Sequence, residues 1–340
     1  MSHATDILRD WDWSHSPSLS GVDSGLINIT HMVHVDGTVA AVLQRLNTDI
    51  FVPQVHEDIE AVTSHLQQHG LTTPRLMRTR DGSLWATDPD GGVWRCLTPV
   101  GDRTIDKIAD PADAIAAGGL VARFHAAVRD LDWDFRSVRP GSQDTKKHLR
   151  NLTAATAKHR GHRLYDEVAR VADEVHAAWQ TWEGPTDLPQ RVIHGDLKIS
   201  NVRFSGAQAT ALIDLDTLAV CTLDVDLGDA FRSWCNPATE EAPQSVFDLD
   251  LFAAGMRGYR SQARDVSEDE WSAIVPGIER ISLNLTARFA ADALQESYFG
   301  WNAKYGGRGE HNLLRAKGQW SLNRSLHAAR AKAERLVRAT

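Results

Sequence analysis

Apolar residues recur at every second position through Ile27-Asn-Ile29-Thr-His-Met-Val33, and Asp36-Gly37 then turns the chain. The alternation resumes over 39–46, so this stretch predicts an antiparallel hairpin. Ahead of it, Gly21-Val-Asp-Ser-Gly25 reads as a turn, and Ile7, Leu8 and Trp11 predict a short amphipathic helix within residues 1–20 that packs on the sheet. Ile59, Val62 and Leu66 give helical spacing over 56–69, and 84–87 and 93–100 are two strands broken by Asp88-Pro-Asp-Gly-Gly92.

From Asp110 the period changes. Leu120, Val121, Phe124 and Val128 mark a helix over 112–131, with His125 on or beside the stripe as a buried histidine holding a hydrogen-bond partner. One or two helices fill 145–182 before Gly184-Pro185, and further helices follow from Asp224 through Trp234, at 248–263 and at 267–298. A sheet followed by helices is an α+β arrangement. The division falls near Pro99, giving an N-terminal lobe of 1–98 and a C-terminal lobe of 99–340.

One stretch breaks the helical half. Val192-Ile193 ends a buried strand, His194-Gly195-Asp196 turns the chain, and Asn201 follows. Val202 and Phe204 resume a short strand, and Leu212-Ile213 leads into Asp214-Leu215-Asp216. That layout suits phosphoryl transfer. Asp196 is placed to orient an alcohol and accept its proton, while the Asn201 amide oxygen and the Asp214 carboxylate are hard ligands for magnesium on a triphosphate. Lys198 or Arg45 offsets the developing negative charge, and His194 orients the loop.

HGDLKISN followed by IDLD resembles the aminoglycoside phosphotransferase and choline kinase superfamily, relatives of the eukaryotic protein kinases. SGLINIT at 24–30, AVLQRLN at 41–47 and GEHNLLR at 309–315 are similar to its N-acetylhexosamine 1-kinase branch, and the likeness runs from about Gly21 to Leu326. The resemblance implies a two-lobed protein-kinase-like fold, ATP and Mg2+ as cofactors, and a sugar hydroxyl as acceptor, most readily the anomeric hydroxyl of an N-acetylhexosamine. An aminoglycoside is the alternative acceptor, and a nucleotide-binding pseudokinase the alternative class.

The resemblance also implies further site residues. Ser24 and Gly25 lie in the loop that covers the phosphates. Kinases carry a lysine on the third strand, where this chain offers Gln44 and Arg45; alternation lets one of them face the cleft. Arg45 is the expected phosphate cation and Glu60 its expected helix partner, with Glu57 as runner-up; if Gln44 faces inward the cation comes from elsewhere. Cys96–Thr98 form the hinge that would meet adenine. In the tail WNAKYGGRGEHNLLR, Arg315 would contact the sugar with His311 and Asn312 nearby, and Asp216 would reach an acceptor hydroxyl or a second metal. Asp224, Asp226 and Asp229 cap a helix or brace the catalytic loop.

Composition narrows the class. A net charge of −8 argues against a nucleic-acid partner, which requires a basic face. Cys96, Cys221 and Cys235 are widely spaced and offer no disulfide framework or zinc pattern, which points to a reducing cytoplasm. No apolar run approaches a membrane span and no export signal opens the chain. Oligomeric state leaves no mark.

Overall fold

The computed structural model describes residues 2–22, 27–238 and 240–339. Helix α1 (Ser2–Ile7) is shorter than the sequence pattern predicts: one tight turn carries it to Asp10, and Ser18–Gly21 is a strand, β1. Ser16-Pro17 leads into β1, and the residue before proline is held extended. Strands β2 (Ile29–Val35) and β3 (Thr38–Arg45) form the expected hairpin. Helix α2 (Val55–Gln68) follows, then β4 (Leu76–Met77), β5 (Ala86–Thr87) and β6 (Val93–Leu97). The antiparallel order is β1-β2-β3-β6-β4, with β5 also on β6.

Alternation divides the residues of this sheet between two layers. Ala41, Leu43, Trp94 and Cys96 face α1 and bury Ile7, Leu8 and Trp11. The Trp11 indole N–H also donates to the Met77 carbonyl at 2.8 Å. Val93 faces the other way, packing with Val55, Ile59, Val62 and Leu66 of α2. Gln44 and Arg95 are register partners on adjacent strands. Gln44 alternates with Leu43, and Arg95 with Trp94 and Cys96, so both lie on the face opposite α1.

The helical half comprises α3 (Pro111–Ala127), α4 (Thr145–Lys158), α5 (Tyr165–Gln180), α6 (Leu223–Trp234), α7 (Leu249–Gln262), α8 (Glu268–Gln295) and α9 (Arg308–Ala339). Their starts are chemically marked. Asp110 caps α3 with Pro111 in its first turn, Asp144 caps α4, and Ser267 with Glu270 forms a capping box on α8. Between α5 and α6 lie β7 (Gln190–Ile193), β8 (Val202–Ser205), β9 (Gln208–Leu212) and β10 (Ala219–Thr222), in the antiparallel pairs β7–β10 and β8–β9.

Helix α6 sits where it does because it can approach α8 closely. A Cβ on Gly228 would lie 2.7 Å from the Gly277 carbonyl, and one on Gly277 would lie 2.4 Å from that of Asp224. The largest buried cluster joins α2, strands β8 and β9 and helices α3, α6, α7 and α9, so the sheet and the helical half share one apolar core. Among the described residues no helix is long and apolar enough to cross a membrane.

Candidate active site

Strand β7 delivers His194 and Gly195 to a sharp turn. Gly195 has φ +81°, and a Cβ there would lie 2.5 Å from the Thr217 carbonyl, so the position requires glycine. The turn is held from below by one carboxylate. Asp226, in the first turn of α6, accepts the His194 N–H at 2.9 Å and the Gly195 N–H at 2.7 Å. His125 on α3 bridges Asp226 and the Tyr259 hydroxyl, each at 2.9 Å, which is the buried hydrogen-bonded role its place on the apolar stripe predicts. The His194 ring reaches the Ile213 carbonyl at 3.0 Å and so ties the turn to the segment before Asp214.

Helix α6 grips the rest of the loop. The Trp234 indole donates to the Leu197 carbonyl at 2.9 Å, and the Ile199 N–H donates to Ser233 Oγ at 3.1 Å. Asp229 pairs with Arg232 at 2.7 Å and does not touch the loop backbone. Asp226 is therefore the brace.

Asp196, Lys198, Asn201 and Asp214 meet as their spacing predicts. Lys198 Nζ lies 2.9 Å from Asp196 Oδ2 and 3.9 Å from Asp214 Oδ2. The Asn201 amide nitrogen donates to the Asp196 carbonyl at 2.8 Å and to Oδ2 at 3.0 Å, which leaves its own oxygen free to act as a ligand. Burial pushes the Asp196 carboxyl up, but the Lys198 ammonium outweighs it and holds the group below its usual range. Asp214 moves the opposite way. Its burial, with Asp216 and Asp196 close by, exceeds the help from Lys198 and raises its pKa. Its backbone is left-handed, φ 63° and ψ 55°. A half-buried carboxylate with surplus negative charge around it is the donor set a divalent cation neutralises.

Several expected residues stand elsewhere. Arg45 shares the α1-side face of β3 with Leu43, packs 5.9 Å from the Trp94 ring and lies 4.0 Å from Asp88. Glu60 pairs with Arg78 at 3.1 Å and Arg75 at 3.5 Å, so the expected Arg45–Glu60 pair is not formed. Strand parity is the reason: Gln44, not Arg45, faces the cleft. Its side-chain oxygen accepts from Arg95 at 2.8 and 3.0 Å, and Arg95 makes a bidentate pair with Asp216, 2.8 Å to Oδ2.

Arg95 is thus the cation on this face of the sheet. A lone charge inside Val-Trp-Arg-Cys-Leu was its signal, since a buried guanidinium demands a partner. Asp216 is correspondingly not a free acceptor-binding carboxylate. Arg95 holds both its oxygens, the Asn28 amide adds a 2.7 Å bond, and the Asn28 oxygen accepts the Asn47 N–H.

The tail residues are also engaged. Asn312 donates to Asp292 at 2.8 Å, Arg315 donates to the Gly300 carbonyl at 3.0 Å, and His311 stacks on Tyr305. All three are buried on α9, where they fasten the turn after α8. At the hinge, the Cys96 side chain lies in the α1 layer. The Thr98 N–H and hydroxyl are spent on the Arg75 backbone, each at 2.9 Å. Ser24 and Gly25 lie outside the described residues.

Residues 18–261 match the model of the phosphotransferase enzyme family. A homoserine kinase of Rhodopseudomonas palustris (strain HaA2) is 25% identical over 79% of this chain and 77% of its own length. Among solved structures, the microcompartment-associated aminopropanol kinase superposes with TM-score 0.67 at 17% identity, covering 98% of each chain. The amicoumacin kinase hAmiN, in complex with AMP-PNP, Ca2+ and Ami, superposes with TM-score 0.60 at 13% identity over 95% of this chain and 88% of its own.

Proposed function

The chain belongs to the phosphotransferase enzyme family and acts on a hydroxyl acceptor; on that premise we propose that ATP is its phosphoryl donor, Mg2+ its metal and a small polar alcohol its acceptor. The observation that carries this reading is the convergence of Asp196, Lys198, Asn201 and Asp214 around one point.

In this mechanism Asp196 orients the acceptor hydroxyl, which attacks the γ-phosphorus as the bond to ADP breaks, and its proton passes to Asp196. Lys198 keeps Asp196 ionised beforehand and offsets charge on the transferring group. Asn201 and Asp214 would hold the cation, which when bound neutralises phosphate charge. Arg95, oriented by Gln44 and Asp216, supplies the positive charge that the cleft-facing side of β3 lacks. The 98/99 boundary between nucleotide-binding and acceptor-binding lobes belongs to the same proposal.

The hexosamine reading drew on the likeness of SGLINIT, AVLQRLN and the tail, where Asn312 and Arg315 bond within the fold, and Asp216 is held by Arg95 and Asn28. The relatives named for homoserine and aminopropanol support a shorter acceptor bearing an amine, and we prefer it to a sugar or an aminoglycoside. A coupled ADP-release assay tests the chemistry with a panel of amino alcohols, N-acetylhexosamines and aminoglycosides. Asp196→Asn is expected to lower kcat by about 1000-fold or more, and turnover that survives the substitution excludes Asp196 as the base.

A further inference from the structure

Two guanidinium groups border the catalytic turn with no carboxylate to match them. The loop bearing Arg139 is pinned from three sides. The Gln143 side chain reaches the Gly195 carbonyl, next to Asp196, at 3.5 Å. The His148 ring holds the Ser142 carbonyl at 2.9 Å, and the Asn284 amide of α8 reaches the Thr145 hydroxyl at 3.4 Å. Arg288 stands one helical turn beyond Asn284 and lies against the rings of Tyr298 and Phe299, at 6.0 and 5.3 Å. Arg139 packs on Phe51 at 4.9 Å.

Among the described residues no carboxylate oxygen lies within 4.0 Å of either guanidinium. Burial lowers the pKa of Arg288, and the charge on Arg139 adds to this, against the favourable influence of Tyr298, whose hydroxyl also bonds the guanidinium, and of Asp196. Lys198 and Asn201 both bond the Asp196 Oδ2 atom. Like charges near one another are unfavourable until an anion joins them.

We propose that Arg288, with Arg139 opposite, anchors a carboxylate on the acceptor, so that the substrate is a short hydroxy acid whose hydroxyl lies at Asp196. The proposal rests on the kinase reading above and adds the charge class of the acceptor. A planar guanidinium backed by aromatic rings suits a carboxylate, which it can meet with two parallel N–H bonds. The same two arginines disfavour a polycationic acceptor. Phosphoryl transfer is unchanged: the γ-phosphorus leaves ADP for the hydroxyl oxygen, and the carboxylate takes no part in bond making.

L-homoserine and 3-amino-1-propanol differ only by the carboxylate and make a matched pair. The wild-type enzyme is expected to favour the first by about 100-fold in kcat/KM. Arg288→Gln should raise the KM for L-homoserine by about 30-fold or more, leave the KM for ATP within about twofold and abolish the preference, with Arg288→Lys in between. Calorimetric titration of L-homoserine into wild type and Arg288→Gln reads the same anchor without turnover. Equal use of both alcohols overturns the proposal, as does preference for an uncharged sugar or an aminoglycoside, or a rise in KM for ATP in place of the acceptor KM. Loss of Asp196 dependence would instead sink the kinase reading while leaving the binding result to stand.

Discussion

Arg95 on β6 and Asp216, 121 positions later, form a bidentate ion pair that joins the sheet to the loop following Asp214. Both side chains are buried, and Gln44 and Asn28 complete their hydrogen bonding. Removing one partner leaves the other as an uncompensated buried charge, which typically costs about 3–5 kcal/mol. Arg95→Met should therefore destabilise the protein by roughly that amount in urea unfolding, and the double variant Arg95→Met/Asp216→Leu should lose less than the sum of the single changes. If the two losses add, the pair is not coupled. The KM for ATP should also rise in Arg95→Met and partly recover in Arg95→Lys.

Gly195→Ala isolates the geometry of the turn. Its φ of +81° and the 2.5 Å approach of a Cβ to the Thr217 carbonyl would move the chain beside Asp196. We expect kcat to fall by about 100-fold, with circular dichroism unchanged. A fully active alanine variant would show that the turn tolerates displacement.

Asp226→Asn keeps the shape of the brace and removes its charge. The carboxylate accepts two backbone N–H bonds and the His125 contact, and its pKa is held down by His125 despite burial. An amide has only one oxygen for those donors. A drop in kcat of about 10-fold or more is expected with little change in either KM; a change in ATP KM alone would place the effect elsewhere.

Asp214→Asn tests the cation site without disturbing the backbone, because asparagine accepts the left-handed conformation that Asp214 adopts. The Mg2+ concentration for half-maximal activity should rise by about 10-fold or more. A chelator should silence the wild type, and excess Mg2+ should restore it.

His56 makes stability depend on pH. It is fully buried on α2 against Trp85, its Nδ1 reaches the Pro53 carbonyl, and its Nε2 has no partner among the described residues. Burial and the nearby Arg95 lower its pKa from 6.5 to about 4. The unfolded chain therefore binds the proton first, and stability is full above pH 6.5 and falls as the pH drops toward 4. The shift is worth about 3 kcal/mol across that window. His311 contributes with the same sign, its pKa also lowered to about 4. The measurement is thus the difference between wild type and His56→Gln in urea unfolding at pH 4.5 and 7.5, and His56→Gln should show the smaller loss.

What could be read from residues alone follows from how local each signal is. The turn bearing Asp196 was legible because His194, Gly195, Asp196 and Asn201 lie within one loop, and the strands and helices because their periods are short-range. Strand parity left Gln44 and Arg45 undecided until Leu43 and Cys96 showed which face α1 covers. Arg95, Asp226, Arg139 and Arg288 depend on neighbours tens to more than a hundred positions away. Asp216 could not be placed from its motif alone, because a polar group is free to bind a substrate only if no fold partner claims it first.

The apolar cluster threading Leu46, Val93, Phe124, Phe231 and Leu326 has a bearing on how such a protein can be recombined. Chimeras that exchange the first hundred residues between relatives would mismatch side chains across a seam that no linker separates. Workable crossovers belong at the outer turns, with the seam inherited whole.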